Sequence, residues 1–122
     1  MATYALPKDL GDLLLIEVAP GWTKDTITLR AGTDYALGTV LARLDGKYQP
    51  VSPVAEDDSA IACAVTAERV DAQSSDQPGT VIARGAVLDA SELIWPQAIT
   101  PEQKDLTLGQ LNSLGIVARA TL

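Results

Sequence analysis

The sequence predicts a single, mainly β domain with one α-helix near the C-terminal end of the chain. Three observations support this prediction. Short apolar segments follow the two-residue period of β-strands, turn residues separate these segments, and only the segment from Thr100 onward carries a helix-start pattern. The chain has 122 residues, which is enough for one hydrophobic core of modest size.

The N-terminal segment is predicted to be an extended arm, residues 1–23, that precedes a β-rich domain, residues 24–122. Residues that interrupt secondary structure, such as Pro7 and Pro20, leave this segment without the hydrophobic period of a helix or a strand. It contains the apolar run Leu13–Val18, for which two interpretations stay open. The run can be part of the arm, or it can be the first strand of the domain, and the two are compatible.

Four strands are predicted in the middle of the chain, and two of them form a hairpin. Thr26–Arg30 alternates strictly, as a strand with one exposed face does. Thr39–Leu44 and Lys47–Val51 flank Asp45–Gly46, a dipeptide typical of two-residue hairpin turns. Ile61–Val70 predicts a longer strand that pairs with the central strand of the fold.

The central element is predicted within Pro78–Pro96, as one long strand followed by a turn and the Trp95-Pro96 pair. Gly79 is expected to form a turn before the strand. Arg84 interrupts the apolar pattern, so we expect it to reach solvent at an edge or to pair with a carboxylate at a subunit contact. Trp95 can be an exposed recognition platform, but we favour a core tryptophan that closes the barrel end.

The helix-start pattern combines Thr100 as N-cap, Pro101 at the first helical position and Gln103 three residues after the cap. Gly115 is suited to the left-handed conformation that ends helices. A final strand is predicted from residue 116 to residue 121.

Composition excludes several classes of function. The chain has no histidine, which removes Ser-His and Cys-His nucleophile pairs and most zinc sites. The single cysteine, Cys63, lies in an apolar strand and is interpreted as a buried structural thiol. The acidic cluster Glu56–Asp58 lacks the ligand spacing of a calcium loop. We therefore expect no catalytic activity, no metal and no cofactor.

Charge and hydropathy also limit the partners. The net charge of −7 disfavours direct binding to nucleic acid. The longest N-terminal apolar run, Leu13 to Ile16, is too short for a membrane span or a signal sequence. We expect a protein without membrane contact that is not exported and that resides in a reducing cytoplasm.

Taken together, these segments resemble the head decoration proteins of tailed bacteriophages, the family that includes the phage lambda decoration protein. The resemblance extends over roughly residues 26–119. It is carried by Leu37-Gly38-Thr39-Val40-Leu41, Gly46-Lys47-Tyr48, Val70-Asp71-Ala72, Arg84-Gly85-Ala86-Val87, Leu93-Ile94-Trp95-Pro96, Gln103-Lys104 and Leu114-Gly115-Ile116-Val117.

The resemblance implies a mainly β fold of the β-clip kind, a bent ribbon or incomplete barrel, with one C-terminal α-helix and an extended N-terminal arm. It also implies a homotrimer that binds the major capsid protein at local three-fold positions on the outside of the expanded head and stabilises the shell against the pressure of packaged DNA. Relatives reach the capsid with the N-terminal arm, which makes Leu13, Leu14, Leu15, Ile16 and Val18 the candidate capsid-binding residues.

Three more residues are candidates for a contact site. Trp95, Pro96 and Arg84 are expected to form a protein interface or a structural lock in the core. The arm departs from the lambda protein, whose arm is rich in Ser, Thr, Pro and Ala, because it contains the apolar run. The alternative function is that of a small non-viral β-barrel module that binds a small ligand or a cellular protein.

Overall fold

The computed structural model describes residues 9–120, and the fold is mainly β, as predicted, with more residues in strands than in helices. Of two single-turn 3₁₀ helices, Asp58–Ala60 precedes β6 and Ala90–Glu92 follows β9. In chain order the other elements are α1 (Leu10–Leu13), β1 (Leu14–Glu17), α2 (Pro20–Thr23), β2 (Lys24–Leu29), β3 (Thr33–Tyr35), β4 (Val40–Leu44), β5 (Lys47–Pro50), β6 (Ala62–Thr66), β7 (Val70–Ala72), β8 (Gln77–Ile82), β9 (Ala86–Asp89), α3 (Pro101–Asn112) and β10 (Ile116–Arg119).

Five strands form a ring in the order β2-β5-β4-β6-β8. Neighbouring strands are antiparallel except β2 and β5, which are parallel and meet at the pair Leu29 and Tyr48. Because side chains alternate along a strand, β4, β6 and β8 each contribute to two cores. Leu29, Leu41 and Val81 fill one core, and none of them is exposed to solvent.

A second sheet has three strands in the order β1-β9-β10. Strand β9 is antiparallel to β1 and parallel to β10. Its inner face buries Ala86, Leu88 and Ile116 against the outer side of the ring and against Leu111 of α3. Leu13, at the end of α1, is fully buried in the same core. This sheet therefore joins the first, middle and last parts of the described chain.

The prediction of one long central strand within residues 78–96 is wrong, because the structure has two strands there. Strand β8 belongs to the ring and β9 to the three-stranded sheet. The break is at Gly85, which has φ +58°, a backbone conformation that glycine adopts without strain. Gly79 is not in a turn either but lies within β8. A Cβ at this position would be 2.6 Å from Cδ1 of Leu29, so the glycine permits close packing in the ring.

The long strand predicted over Ile61–Val70 is also divided. Its first part is β6, which pairs with β8 as expected, whereas Val70 begins β7. Strand β7 pairs with β3 in a two-stranded sheet that the sequence did not indicate. The buried Tyr35 of β3 donates its hydroxyl proton to the carbonyl of Arg30, at 2.8 Å. These three-residue strands are defined by their pairing and not by a local pattern.

Three other predictions based on local turn and cap chemistry are confirmed. Asp45 and Gly46 both have positive φ, as a type I′ hairpin turn requires, and they join β4 to β5. Thr100 and Gln103 form reciprocal hydrogen bonds of 3.1 and 2.9 Å at the start of α3. Gly115 has φ +78° between α3 and β10.

Candidate functional site

The outer face of the three-stranded sheet exposes a row of aliphatic side chains. Ile16 and Val117 lie on either side of Val87, to which both are register partners. Residues directly opposite each other in a sheet point to the same face. Ile16 is 49% exposed and Val117 is 41% exposed, and Val87 between them is half-buried. The row is thus an apolar strip on the surface of the described chain.

Three more exposed side chains extend this strip around the backbone of Gly85. The amide of Val18 donates to the carbonyl of Gly85, at 3.0 Å, and the ring of Trp22 lies against the same glycine. Leu114 precedes Gly115, whose backbone is also close to Gly85. The apolar face, as we call this surface, consists of Ile16, Val18, Trp22, Val87, Leu114 and Val117.

Trp22 is held in place although 52% of it is exposed. The guanidinium carbon of Arg84 lies 5.9 Å from the centre of the indole ring, within cation–π range, and Arg84 donates to the Trp22 carbonyl. On the other side, a Cβ at Gly85 would be only 2.2 Å from the ring, so only glycine leaves room for the indole. The tryptophan is therefore preorganised, which suits an aromatic anchor in an interface.

The charges next to the apolar face are paired with each other. Arg84 makes a two-bond contact with the carboxylate of Asp25, at 2.6 and 3.1 Å, and this contact lowers the pKa of Asp25. Lys24 lies 3.4 Å from the carboxylate of Glu17. Although the whole chain has a net charge of −7, this surface presents compensated charges.

A second surface, which we call the Pro96 groove, consists of two cavities that share Pro96. One cavity, of about 180 Å³, is bounded by Val40, Ile94 and Trp95. The other, of about 210 Å³, is bounded by Val51 and by other residues of the two loops around it. The lining of both cavities is mainly apolar, which is typical of sites that receive a side chain or a ligand.

Trp95 has two roles in the structure. One part of the half-buried indole packs on the core between the five-stranded ring and the three-stranded sheet, and another part borders the groove. The ammonium of Lys104 lies 5.9 Å from the centre of the ring. The favoured sequence interpretation, a core tryptophan, thus describes one side of the residue. Its role as an interface residue stays a prediction.

The structure places the predicted capsid-binding residues in different environments. Leu13 is part of the core, Leu14 and Leu15 are half-buried, and Ile16 and Val18 are exposed. The run is thus the first strand of the described domain, one of the two interpretations left open. Residues 1–8 lie outside the described residues.

Arg84 reaches a carboxylate, as one of the two expectations required, but the partner is Asp25 of the same chain. Arg84 lies beside Trp22 and precedes Gly85, to which the Val18 amide donates, whereas Trp95 and Pro96 lie on the separate groove. Sequence reasoning missed the other four residues of the apolar face, which are Trp22, Val87, Leu114 and Val117. For Val117, the two-residue alternation after Gly115 was an available signal.

The other candidate residues have structural roles. The thiol of Cys63 is half-buried, and burial raises its pKa, so it is protonated at neutral pH. Asp57 accepts hydrogen bonds from the amide and hydroxyl of Ser59 and caps the first 3₁₀ helix. Within residues 9–120, no three acidic or cysteine side chains are grouped as a metal site would need. None of the helices in that range has the length and apolar character needed to cross a bilayer.

The family model of bacteriophage lambda head decoration protein D matches residues 3–116 of the chain. The chain belongs to this family. Membership supports a capsid decoration role and association with the phage head, and it agrees with the resemblance found in the sequence. No curated protein matches the chain.

Proposed function

We propose that the chain decorates the outside of an expanded phage head, where trimers sit at the local three-fold positions of the major capsid protein. In this role it would stabilise the shell against the pressure of packaged DNA after synthesis in the host cytoplasm. The observation that supports this best is the apolar face, because a protein of a decoration family with five exposed apolar side chains around the half-buried Val87 has a surface suited to protein contact.

The positions of the chain ends support contact with the shell through the N-terminal segment. Leu14 at the start of β1 is opposite Leu88, and Arg119 at the end of β10 is opposite Asp89. Strand β1 therefore begins, and strand β10 ends, at the same end of the three-stranded sheet. We propose that the segments before β1 and after β10 contact one surface of the shell.

Strand β1 offers a second means of attachment. Among the described strands it pairs only with β9, so its other edge has backbone groups available for strand addition. The side chains of Ile16 and Val18 lie next to this edge and are exposed, whereas Leu13 is occupied in the core. We assign the capsid contact of this segment to Ile16, Val18 and the residues before Asp9.

Energetic magnitudes explain why a trimer is useful. Burial of one Leu or Ile side chain contributes roughly 1.5–3 kcal/mol. Ordering each arm residue costs about 1–2 kcal/mol, so a single short arm binds weakly. When one protomer of a trimer is bound, the other arms are present at high effective concentration, and avidity exceeds the affinity of one arm by about a hundredfold or more.

Truncation tests the arm. A deletion of residues 1–23 is unsuitable because it removes Leu13 from the core and removes β1 from its sheet. A chain that starts at Asp9 keeps all described elements. We expect it to fold with an unchanged melting temperature and to co-sediment with expanded shells at least about a hundredfold more weakly than the full chain.

The control is an exposed substitution away from both surfaces, such as Ile61→Ser, which is expected to bind shells like the original chain. A truncated chain that saturates shells at the same concentration as the full chain would exclude the arm as a capsid contact. A full chain that binds no shell would exclude the proposed function itself.

A further inference from the structure

A closed ring of three identical chains requires two different surfaces on each chain, since a three-fold axis joins one patch to another and not to itself. The described chain has two such surfaces, the protruding apolar face around Trp22 and the recessed Pro96 groove. We propose that Trp22 of one protomer inserts into the Pro96 groove of the next protomer. This inference rests on the trimer of the proposed function and specifies how its subunits meet.

The two surfaces lie against different strands of the five-stranded ring. Trp22 lies two residues before Lys24, where β2 begins. The groove borders β4, where the Val40 amide donates to the Ile94 carbonyl. In the ring, β2 and β4 are not neighbours, because β5 separates them on one side and β6 and β8 separate them on the other. The two surfaces are therefore separate patches, as contact between successive copies around a three-fold axis requires.

The shapes of the two surfaces are complementary. Trp22 is half-exposed and rigidly held by Arg84 and Gly85, so it loses little freedom when it is buried. The groove offers adjacent cavities of about 180 and 210 Å³ on either side of Pro96. Ile94, which is 41% exposed, borders the first cavity and can cover the edge of an inserted indole.

The charges favour a second copy as the occupant of the groove. Two chains that each carry −7 repel each other unless they meet where charge is compensated. At the apolar face Arg84 is paired with Asp25, and at the groove Asp34 is paired with Arg69, 2.6 Å away. Lys104 adds a positive charge beside Trp95. These two surfaces therefore avoid the repulsion that other faces of an acidic copy would produce.

The first test measures the molar mass of the free protein by light scattering over a range of concentrations. Trp22→Ala removes the inserted indole, and Ile94→Asp places a charge in the groove. We expect each substitution to raise the protein concentration at which half of the chains are assembled by a hundredfold or more. Ile61→Asp is the matched control, because Ile61 is 50% exposed and belongs to neither surface, and it is expected to assemble like the original chain. Circular dichroism establishes that each variant is folded.

The second test mixes the two variants. Ile94→Asp keeps Trp22 and Trp22→Ala keeps the groove, so one intact contact is possible between them. The mixture is expected to form a one-to-one dimer, whereas each variant alone is a monomer. If the trimer instead formed by contact between two copies of the same face, mixing the two variants would not produce this dimer.

Three outcomes would overturn the inference: both variants remain trimers, the mixture forms no dimer, or Trp22→Ala stays a trimer and loses binding to shells. In the last case Trp22 contacts the capsid, as Ile16 and Val18 are proposed to do, and does not contact a second copy. An original chain that is a monomer at all concentrations but binds shells would contradict the trimer and this inference while the decoration role stands.

Discussion

The five-stranded ring and the three-stranded sheet use their faces differently. The ring is made from one continuous part of the chain, β2 to β8, and its apolar residues are buried on both sides, as Leu41 on one side and Val40 on the other illustrate. The three-stranded sheet buries one face and leaves the other apolar and exposed, with Ile16 and Val117 on it. The comparison indicates that the ring supplies stability and that the sheet supplies a surface for contact.

Gly85 joins the two regions, and its replacement is expected to have the largest effect on stability. Gly85→Ala places a residue with a Cβ at φ +58° and directs that atom to within 2.2 Å of the Trp22 ring. Left-handed strain costs about 1–2 kcal/mol and overpacking about 1–3 kcal/mol. Urea denaturation should therefore show a loss of about 2–5 kcal/mol in the free energy of unfolding.

Gly46→Ala is the matched control for this prediction, since Gly46 has φ +80° but no atom within 4 Å of the added Cβ. It should lose only the strain contribution, about 1–2 kcal/mol. Adding Trp22→Ala to Gly85→Ala should remove the excess. Equal losses for Gly85→Ala and Gly46→Ala would mean that the indole is not fixed against Gly85.

A pair of isosteric substitutions tests the difference between the two regions directly. Val81 is fully buried in the ring, and Val117 is 41% exposed on the sheet. Val81→Thr buries a hydroxyl group at a site built from apolar side chains and should lower the free energy of unfolding by about 1–3 kcal/mol. Val117→Thr should change it by less than about 0.5 kcal/mol. Similar losses for both variants would show that the outer face of the sheet is part of the fold's own core.

The smallest effect concerns the Arg84–Asp25 pair beside Trp22. The hydrogen bond from Arg84 holds the folded-state pKa of Asp25 below its ordinary value of 3.8. A carboxyl with a lowered pKa stabilises the fold above its unfolded pKa, and this stabilisation is lost as the pH falls through the folded pKa. The difference in melting temperature between the original chain and Asp25→Asn should therefore be constant near neutral pH and shrink below about pH 4. A difference that is unchanged at pH 2.5 would contradict this role of the pair.

Local chemistry made much of the fold predictable from the sequence. The Asp45–Gly46 turn and the Thr100–Gln103 capping box depend on residues within four positions of each other, and both were identified. The break at Gly85 was not, because it depends on Trp22, 63 positions earlier in the chain. Gly79 was misassigned for the same reason, since its neighbour Leu29 lies on another strand.

The candidate site was predicted only in part. Ile16, Val18 and Arg84 were selected; the structure places Ile16 opposite Val87, Val18 against the backbone of Gly85, and Arg84 against Trp22. The apolar period of β10 indicates that Val117 faces away from Ile116, but it does not indicate which face meets the core. That assignment requires the register of β10 against β9, a contact between distant segments.

The central claim is that this chain decorates a phage head from the outside, and electron cryomicroscopy of shells tests it most directly. Expanded shells that lack a decoration protein would be imaged with and without a saturating amount of the purified chain. The account predicts additional density on the outer surface, centred on the local three-fold positions and large enough for three copies of the chain. Density inside the shell, or saturated shells without additional ordered density, would contradict it.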